Sequence, residues 1–125
     1  MSTTPRKGYL VRNLADAPTV RSECGQSTRP LTYPDATVCS LHVTFIKDSV
    51  RHYHRECTEV YYILQGRGKM ELDDDIVEVG PGSVIYIEPG TAHRLYSEEG
   101  VQTIVFGVPA YRQNDEFYVK DGLKP

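Results

Sequence analysis

From residue 37 onward, apolar and polar residues alternate in short runs rich in Val, Ile, Tyr and Phe, each closed by Gly, Pro, Asp or Ser. Alternation with a period of two puts successive side chains on opposite faces of an extended chain, which marks half-buried β-strands. The runs predict strands over 37–46, 50–54, 59–65, 68–72, 76–79, 83–87, 92–96 and 101–108. Turns are expected at Asp73-Asp74-Asp75, Gly80-Pro81-Gly82, Glu88-Pro89-Gly90 and Glu98-Glu99-Gly100. Helical periodicity is nearly absent. Strands this closely spaced predict an all-β fold, a sandwich or barrel.

The flanks are less regular. Residues 1–36 carry one strand-like run at 9–13 and then a polar stretch with Cys24, Gly25, Arg29 and Pro30, and read as an N-terminal arm. The tail, 110–125, is polar apart from Phe117-Tyr118-Val119, a pattern open to an edge strand, a lid or a frayed terminus. The organisation expected is therefore an arm (1–36), a barrel (37–109) and a C-terminal tail (110–125). A chain of 125 residues suits one hydrophobic core, because two smaller domains would each bury too little surface.

Composition adds exclusions. A hydrophobic fraction of 39% and a charged fraction of 25% are those of an ordinary globular protein. The formal charge is −3 and the Lys and Arg residues are scattered, so the basic stripe of a nucleic-acid binder is missing. No apolar run reaches the length of a membrane-spanning helix, and residues 1–10 lack the apolar core of a signal peptide, so a cytoplasmic protein without nucleic-acid or membrane partners is expected. Cys24, Cys39 and Cys57 are too few for a disulfide framework, which fits a reducing compartment.

The candidate chemistry lies in the middle of the chain. His52 and His54 are two apart in a strand-like run, so both imidazoles project to one side. The four residues 55–58 are enough for a tight hairpin that returns Glu59 beside them. His93 opens a new strand after Glu88-Pro89-Gly90, and a barrel can bring it alongside. Imidazole nitrogens with one carboxylate suit iron, manganese, nickel, cobalt, copper or zinc better than calcium or magnesium. Cys57, between two of these residues, reads as a small buried apolar side chain rather than a further ligand.

These residues match a known pattern. His52-x-His54-x4-Glu59-x6-Gly66 resembles the first cupin motif, and Gly82-x5-Glu88-Pro89-Gly90-x2-His93 resembles the second. The resemblance implies a double-stranded β-helix (jelly-roll) barrel in which His52, His54, Glu59 and His93 bind one divalent transition metal ion per chain. Ile46 stands where the first motif usually opens with Gly, Glu88 where the second has Pro, and Ser97 where it closes with Asn. None of the three is a ligand.

Four protein ligands on an octahedral ion leave two adjacent positions open, which favours an enzyme acting on a small chelating molecule such as a hydroxy-carbonyl, an enediol or a dicarboxylate. Cupins with this ligand set include dioxygenases, isomerases, lyases and cyclases, and the resemblance chooses none of them. The competing reading is a non-catalytic binding module for sensing or storage; a metal-free sugar-binding barrel is the weakest. Tyr61 shares the face of Glu59, and His42 lies on the polar face Ser40-His42-Thr44 of its strand, so both are candidate proton-moving residues. Arg94 and Tyr96 alternate away from His93 and are expected outside. A homodimer is expected because open barrels leave strand edges and an apolar sheet face to cover.

Overall fold

The computed structural model describes residues 8–22 and 24–119; the first seven residues of the expected arm and the last six of the tail lie outside the described residues. Ten strands are present among them: β1 (Thr19–Ser22), β2 (Gly25–Leu31), β3 (Ser40–Asp48), β4 (His52–Tyr53), β5 (Thr58–Gln65), β6 (Gly68–Leu72), β7 (Asp75–Val79), β8 (Val84–Ile87), β9 (His93–Val108) and β10 (Phe117–Tyr118). All pairings are antiparallel and join into one curled sheet. This is the all-β barrel that the alternation and the motifs predict.

Strand β9 closes the barrel. Its first residues pair with β6, from Leu72 opposite His93 to Lys69 opposite Tyr96, and its second half pairs with β5, from Gln65 opposite Gln102 to Thr58 opposite Val108. The turn expected at Glu98-Glu99-Gly100 is instead a bend inside this single strand. Residues 97–100 stand opposite Lys47 alone, since Ile46 pairs with Val101 and Asp48 with Tyr96. Such a bulge turns the strand from one wall to the other. Ser97 holds the bend: its hydroxyl donates to the Arg67 carbonyl and accepts from Gly100 N–H. Gly100 sits at φ +93°, and a Cβ there would lie 2.1 Å from the Phe45 ring, so glycine is required twice over.

Other expectations change as well. No strand forms at 9–13; Arg12 instead reaches across to Asp35 (2.9 Å) and the Pro30 carbonyl (2.8 Å). The polar stretch that follows is a hairpin, β1 and β2, which extends the sheet beyond β3 with Ser27 opposite Thr44. Residues 55–58 are not a hairpin either: β4 pairs with β9 and β10, whereas β5 pairs with β8 and β9, so this segment crosses from one wall to the other. In the tail, Phe117-Tyr118 is an edge strand on β4.

The core fills one end of the barrel. Ile46, Tyr61, Ile63, Met70, Val79, Ile85, Ile87, Leu95 and Val101 form its buried cluster. Each such side chain withdrawn from water contributes about 1.5–3 kcal/mol of hydrophobic stabilisation. At the other end the inward positions are polar: Ser40, His42 and Thr44 of β3 point inside, while Leu41, Val43 and Phe45 point out. Polar residues facing inward indicate a site rather than a core.

Candidate metal centre

Each of the four motif residues arrives on a different piece of the barrel. His52 lies on β4, His54 just after it, Glu59 on β5 and His93 at the start of β9, with His52 paired directly opposite His93. All four are at least 95% buried. The turn at Glu88-Pro89-Gly90 is tied to the first motif, because Gly90 N–H donates to the His54 carbonyl (2.7 Å).

Ring orientation is set by the backbone. His52 Nδ1 faces the Val50 carbonyl at 2.6 Å, His54 Nδ1 the Asp115 carbonyl at 2.8 Å and His93 Nδ1 the Thr91 carbonyl at 2.9 Å. A carbonyl only accepts, so each ring carries its proton on Nδ1 and, when neutral, turns the Nε2 lone pair inward. Both His54 Nε2 and His93 Nε2 lie 3.2 Å from the same oxygen, Glu59 Oε1. His54 Nε2 is buried there without hydrogen-bond geometry to any partner. Buried lone pairs facing a carboxylate require a proton or a cation between them. The donor atoms of His52, His54, Glu59 and His93 all lie within 4.8 Å of one another, so the cluster can hold a metal ion.

Protonation in the metal-free protein follows this arrangement. Burial works to lower the His54 pKa, but the adjacent Glu59 carboxylate and the Asp115 carbonyl outweigh it and raise it to about 9. Burial works to raise the Glu59 pKa, and the His54 and His93 rings overcome it and hold the carboxyl below its ordinary range. His52 falls to about 4 through burial and the neighbouring His93. The raised His54 pKa favours a proton on this ring near neutral pH, and a cation held by the cluster would have to displace it.

Asp115, which no motif indicates, organises this centre. Its carboxylate accepts from the N–H groups of Arg55 (3.0 Å), Glu56 (3.1 and 3.2 Å) and Cys57 (3.0 Å), while its carbonyl orients His54. The crossing segment 55–58 is thus held by the tail and not by a hairpin ladder. Cys57 is buried with its Sγ toward the Pro109 carbonyl (3.3 Å), apart from the ligand cluster.

A small cavity of about 40 Å³ is lined by two of the four residues, His52 and Glu59. Tyr61 and His42 both line it, so the inner face of β3 is pocket and not solvent. Burial, and then the charge of Arg29, lower the His42 pKa to about 4; burial and Glu59 push the Tyr61 phenol well above its ordinary value. The rest of the wall comes from outside the motifs: Cys24 and Arg29 from the N-terminal hairpin, and Tyr111 and Glu116 from the tail. Cys24 Sγ and Glu116 Oε1 each stand 4.0 Å from His52 Nε2. Arg94, by contrast, lies outside in ion pairs with Asp48 and Glu71, and Tyr96 is exposed.

Relatives agree with this architecture. The chain is 32% identical to the Methanocaldococcus jannaschii protein MJ1618 over 88% of its own length and 81% of that protein. The crystal structure of a Planctomyces limnophilus protein superposes with a TM-score of 0.80 at 26% identity, covering 93% of this chain and 98% of that one. The same fold recurs in ectoine synthase from P. lautus (TM-score 0.74, 18% identity, 94% and 92% covered). It recurs again in Bacillus subtilis oxalate decarboxylase (TM-score 0.73, 19% identity, 90% of this chain and 34% of that one). Residues 41–108 match the cupin domain model, a stretch that carries both motifs, and the chain belongs to the cupin family.

Proposed function

We propose that the protein is a metal-dependent enzyme acting on a small chelating organic molecule, with His52, His54, Glu59 and His93 holding one divalent transition metal ion. The observation that carries this reading is a buried cluster in which three imidazoles, each oriented by an Nδ1–H bond to a backbone carbonyl, bring their donor atoms and that of Glu59 within 4.8 Å of one another, with His54 and His93 Nε2 both 3.2 Å from Glu59 Oε1. Iron, manganese, nickel, cobalt, copper and zinc all suit that donor set. Bound there, such an ion supplies Lewis-acid polarisation of substrate oxygens or, for redox-active ions, electron transfer. Fold likeness to ectoine synthase and oxalate decarboxylase supports an enzyme on a small molecule without choosing the reaction.

The chain's own residues supply proton handling. His42, held neutral near pH 7, is available as a base at the cavity wall. Tyr61 keeps its phenolic proton and serves as donor to a developing oxyanion. The narrow cavity suits a molecule of few atoms. A screen of hydroxy acids, enediols and dicarboxylates against iron-loaded and cobalt-loaded protein, in air and without it, tests the reading. Turnover that Tyr61→Phe or His42→Ala reduces by about a hundredfold or more, the lower end of what a general acid or base contributes, is the expected result. Chelating acids that bind and never turn over would instead establish the binding module.

The outer sheet face supports a homodimer. Tyr62, Val84, Tyr86 and Phe106 lie on neighbouring strands, with Tyr62 opposite Val84, and are 40%, 65%, 63% and 36% exposed. An apolar face of this kind is a contact surface for a second copy.

A further inference from the structure

Among the described residues Arg21, Arg29, Arg55 and Arg67 form no ion pair with a carboxylate, and of these four only Arg29 lines the cavity beside His52 and Glu59. Arg12, Arg51, Arg94 and Arg112 each pair with a carboxylate. Arg29 is half-buried in the wall of the cavity that His52 and Glu59 line, and among the described residues no carboxylate lies within ion-pair distance of it. Its Nε–H donates to Ser27 Oγ (3.0 Å), which in turn accepts from Thr44 Oγ1–H (3.1 Å), and both of those residues are buried. One face of the guanidinium lies over Tyr111, 5.6 Å from the ring centroid. Nε and the flat face are therefore committed, whereas the paired terminal N–H groups have no carboxylate to meet.

Holding a guanidinium in a half-buried wall without a counter-ion costs free energy that an arriving anion returns, and the planar fork of N–H groups matches carboxylate and phosphate oxygens. The rest of the wall does not compete for an anion. His42 is neutral, and Glu116 is engaged by the Tyr118 hydroxyl (2.6 Å). We propose that Arg29 is an anion subsite of this cavity, receiving a carboxylate or phosphate at one end of the substrate while the other end reaches the His/Glu centre. The substrate class is thereby narrowed to a small chelator with a second, anionic group. This rests on the metal-dependent reading of the centre.

Three probes separate the contributions: glycolate, which chelates and has no second anion; malate, which keeps the α-hydroxy acid and adds a carboxylate; and 3-phosphoglycerate, which keeps it and adds a phosphate. Binding to the cobalt-loaded protein is read by calorimetry and by the cobalt absorption bands, for wild type, Arg29→Gln and Arg29→Lys. In wild type, malate or 3-phosphoglycerate should bind at least about tenfold more tightly than glycolate, the scale of a charge-assisted hydrogen-bonded pair, and whichever does so identifies the anion. Arg29→Gln should erase that preference while glycolate binds as before, and Arg29→Lys should keep part of it, showing that the wall still folds. A preference that survives in Arg29→Gln, or that is absent from wild type, overturns the subsite. If glycolate leaves the cobalt bands of wild type unchanged, the metal reading fails separately. The subsite is then decided on the metal-free protein, where succinate or inorganic phosphate must shift the Arg29 Nε–H resonance for the proposal to stand.

Discussion

Asp115→Ala should show that the tail is part of the centre. In the native chain one carboxylate, only 5% exposed, satisfies three successive N–H groups in the segment joining His54 to Glu59. Removing it strands the buried Cys57 N–H, at about 1–3 kcal/mol, and costs about 0.5–1.5 kcal/mol at each of Arg55 and Glu56, which water can partly reach. The sum is about 2–6 kcal/mol, a large share of the roughly 5–15 kcal/mol that holds a domain folded. Asp115→Asn keeps one acceptor oxygen for Arg55 and Glu56 and should lose about half as much. The backbone carbonyl of residue 115 that accepts from His54 Nδ1–H survives either substitution, so metal affinity should fall by less than the roughly 10–100-fold expected when such an orienting partner is lost outright. Urea denaturation of the metal-free variants gives the first quantity, and competition with a chromogenic chelator the second. Asp115→Ala within about 0.5 kcal/mol of wild type would falsify the account of the crossing segment, whatever its metal affinity.

Three further outcomes follow from the same structure. In the metal-free protein the His54 pKa is raised from 6.5 to about 9, so its pairing with Glu59 contributes stability that is complete below about pH 6.5 and lost as pH rises through about 9. Urea midpoints between pH 6 and 10 should fall accordingly in wild type and not in Glu59→Gln. Metal affinity should move oppositely, rising with pH towards 9 as the competing proton leaves. Ile63→Ala, at a position with no exposed surface, should cost about 2–5 kcal/mol in the same denaturation assay without changing metal content. Val84→Asp with Tyr86→Asp should convert a dimer to a monomer by light scattering at concentrations on the order of tens of micromolar, and a wild type already monomeric there refutes the dimer.

The strands and motifs were legible because alternation is local, and because the motif spacing compresses a barrel's geometry into two short stretches. The rest of the site was not. Arg29 and Ser27 face inward from β2, but a strand whose inner positions are polar lacks the apolar alternation that identifies strands, so it read as loop. The apolar positions of β3 marked its outer face for the same reason: inward Ser40, His42 and Thr44 line a cavity. Asp115 and Glu116 meet residues more than fifty positions away, a contact created by topology alone. At Glu98-Glu99-Gly100 the turn residues are real, yet they bend one strand instead of separating two, because both halves keep their ladders with β3.

The central claim is that His52, His54, Glu59 and His93 hold one metal ion. It is tested most directly by elemental analysis of purified protein after chelation and reloading, comparing wild type with the His52→Ala/His93→Ala double variant. The account predicts close to one divalent transition metal ion per wild-type chain and almost none in the double variant, with Glu59→Gln losing less than either single histidine change because three nitrogens remain. Full occupancy in a folded double variant, or a wild type that takes up no ion on reloading, would contradict it.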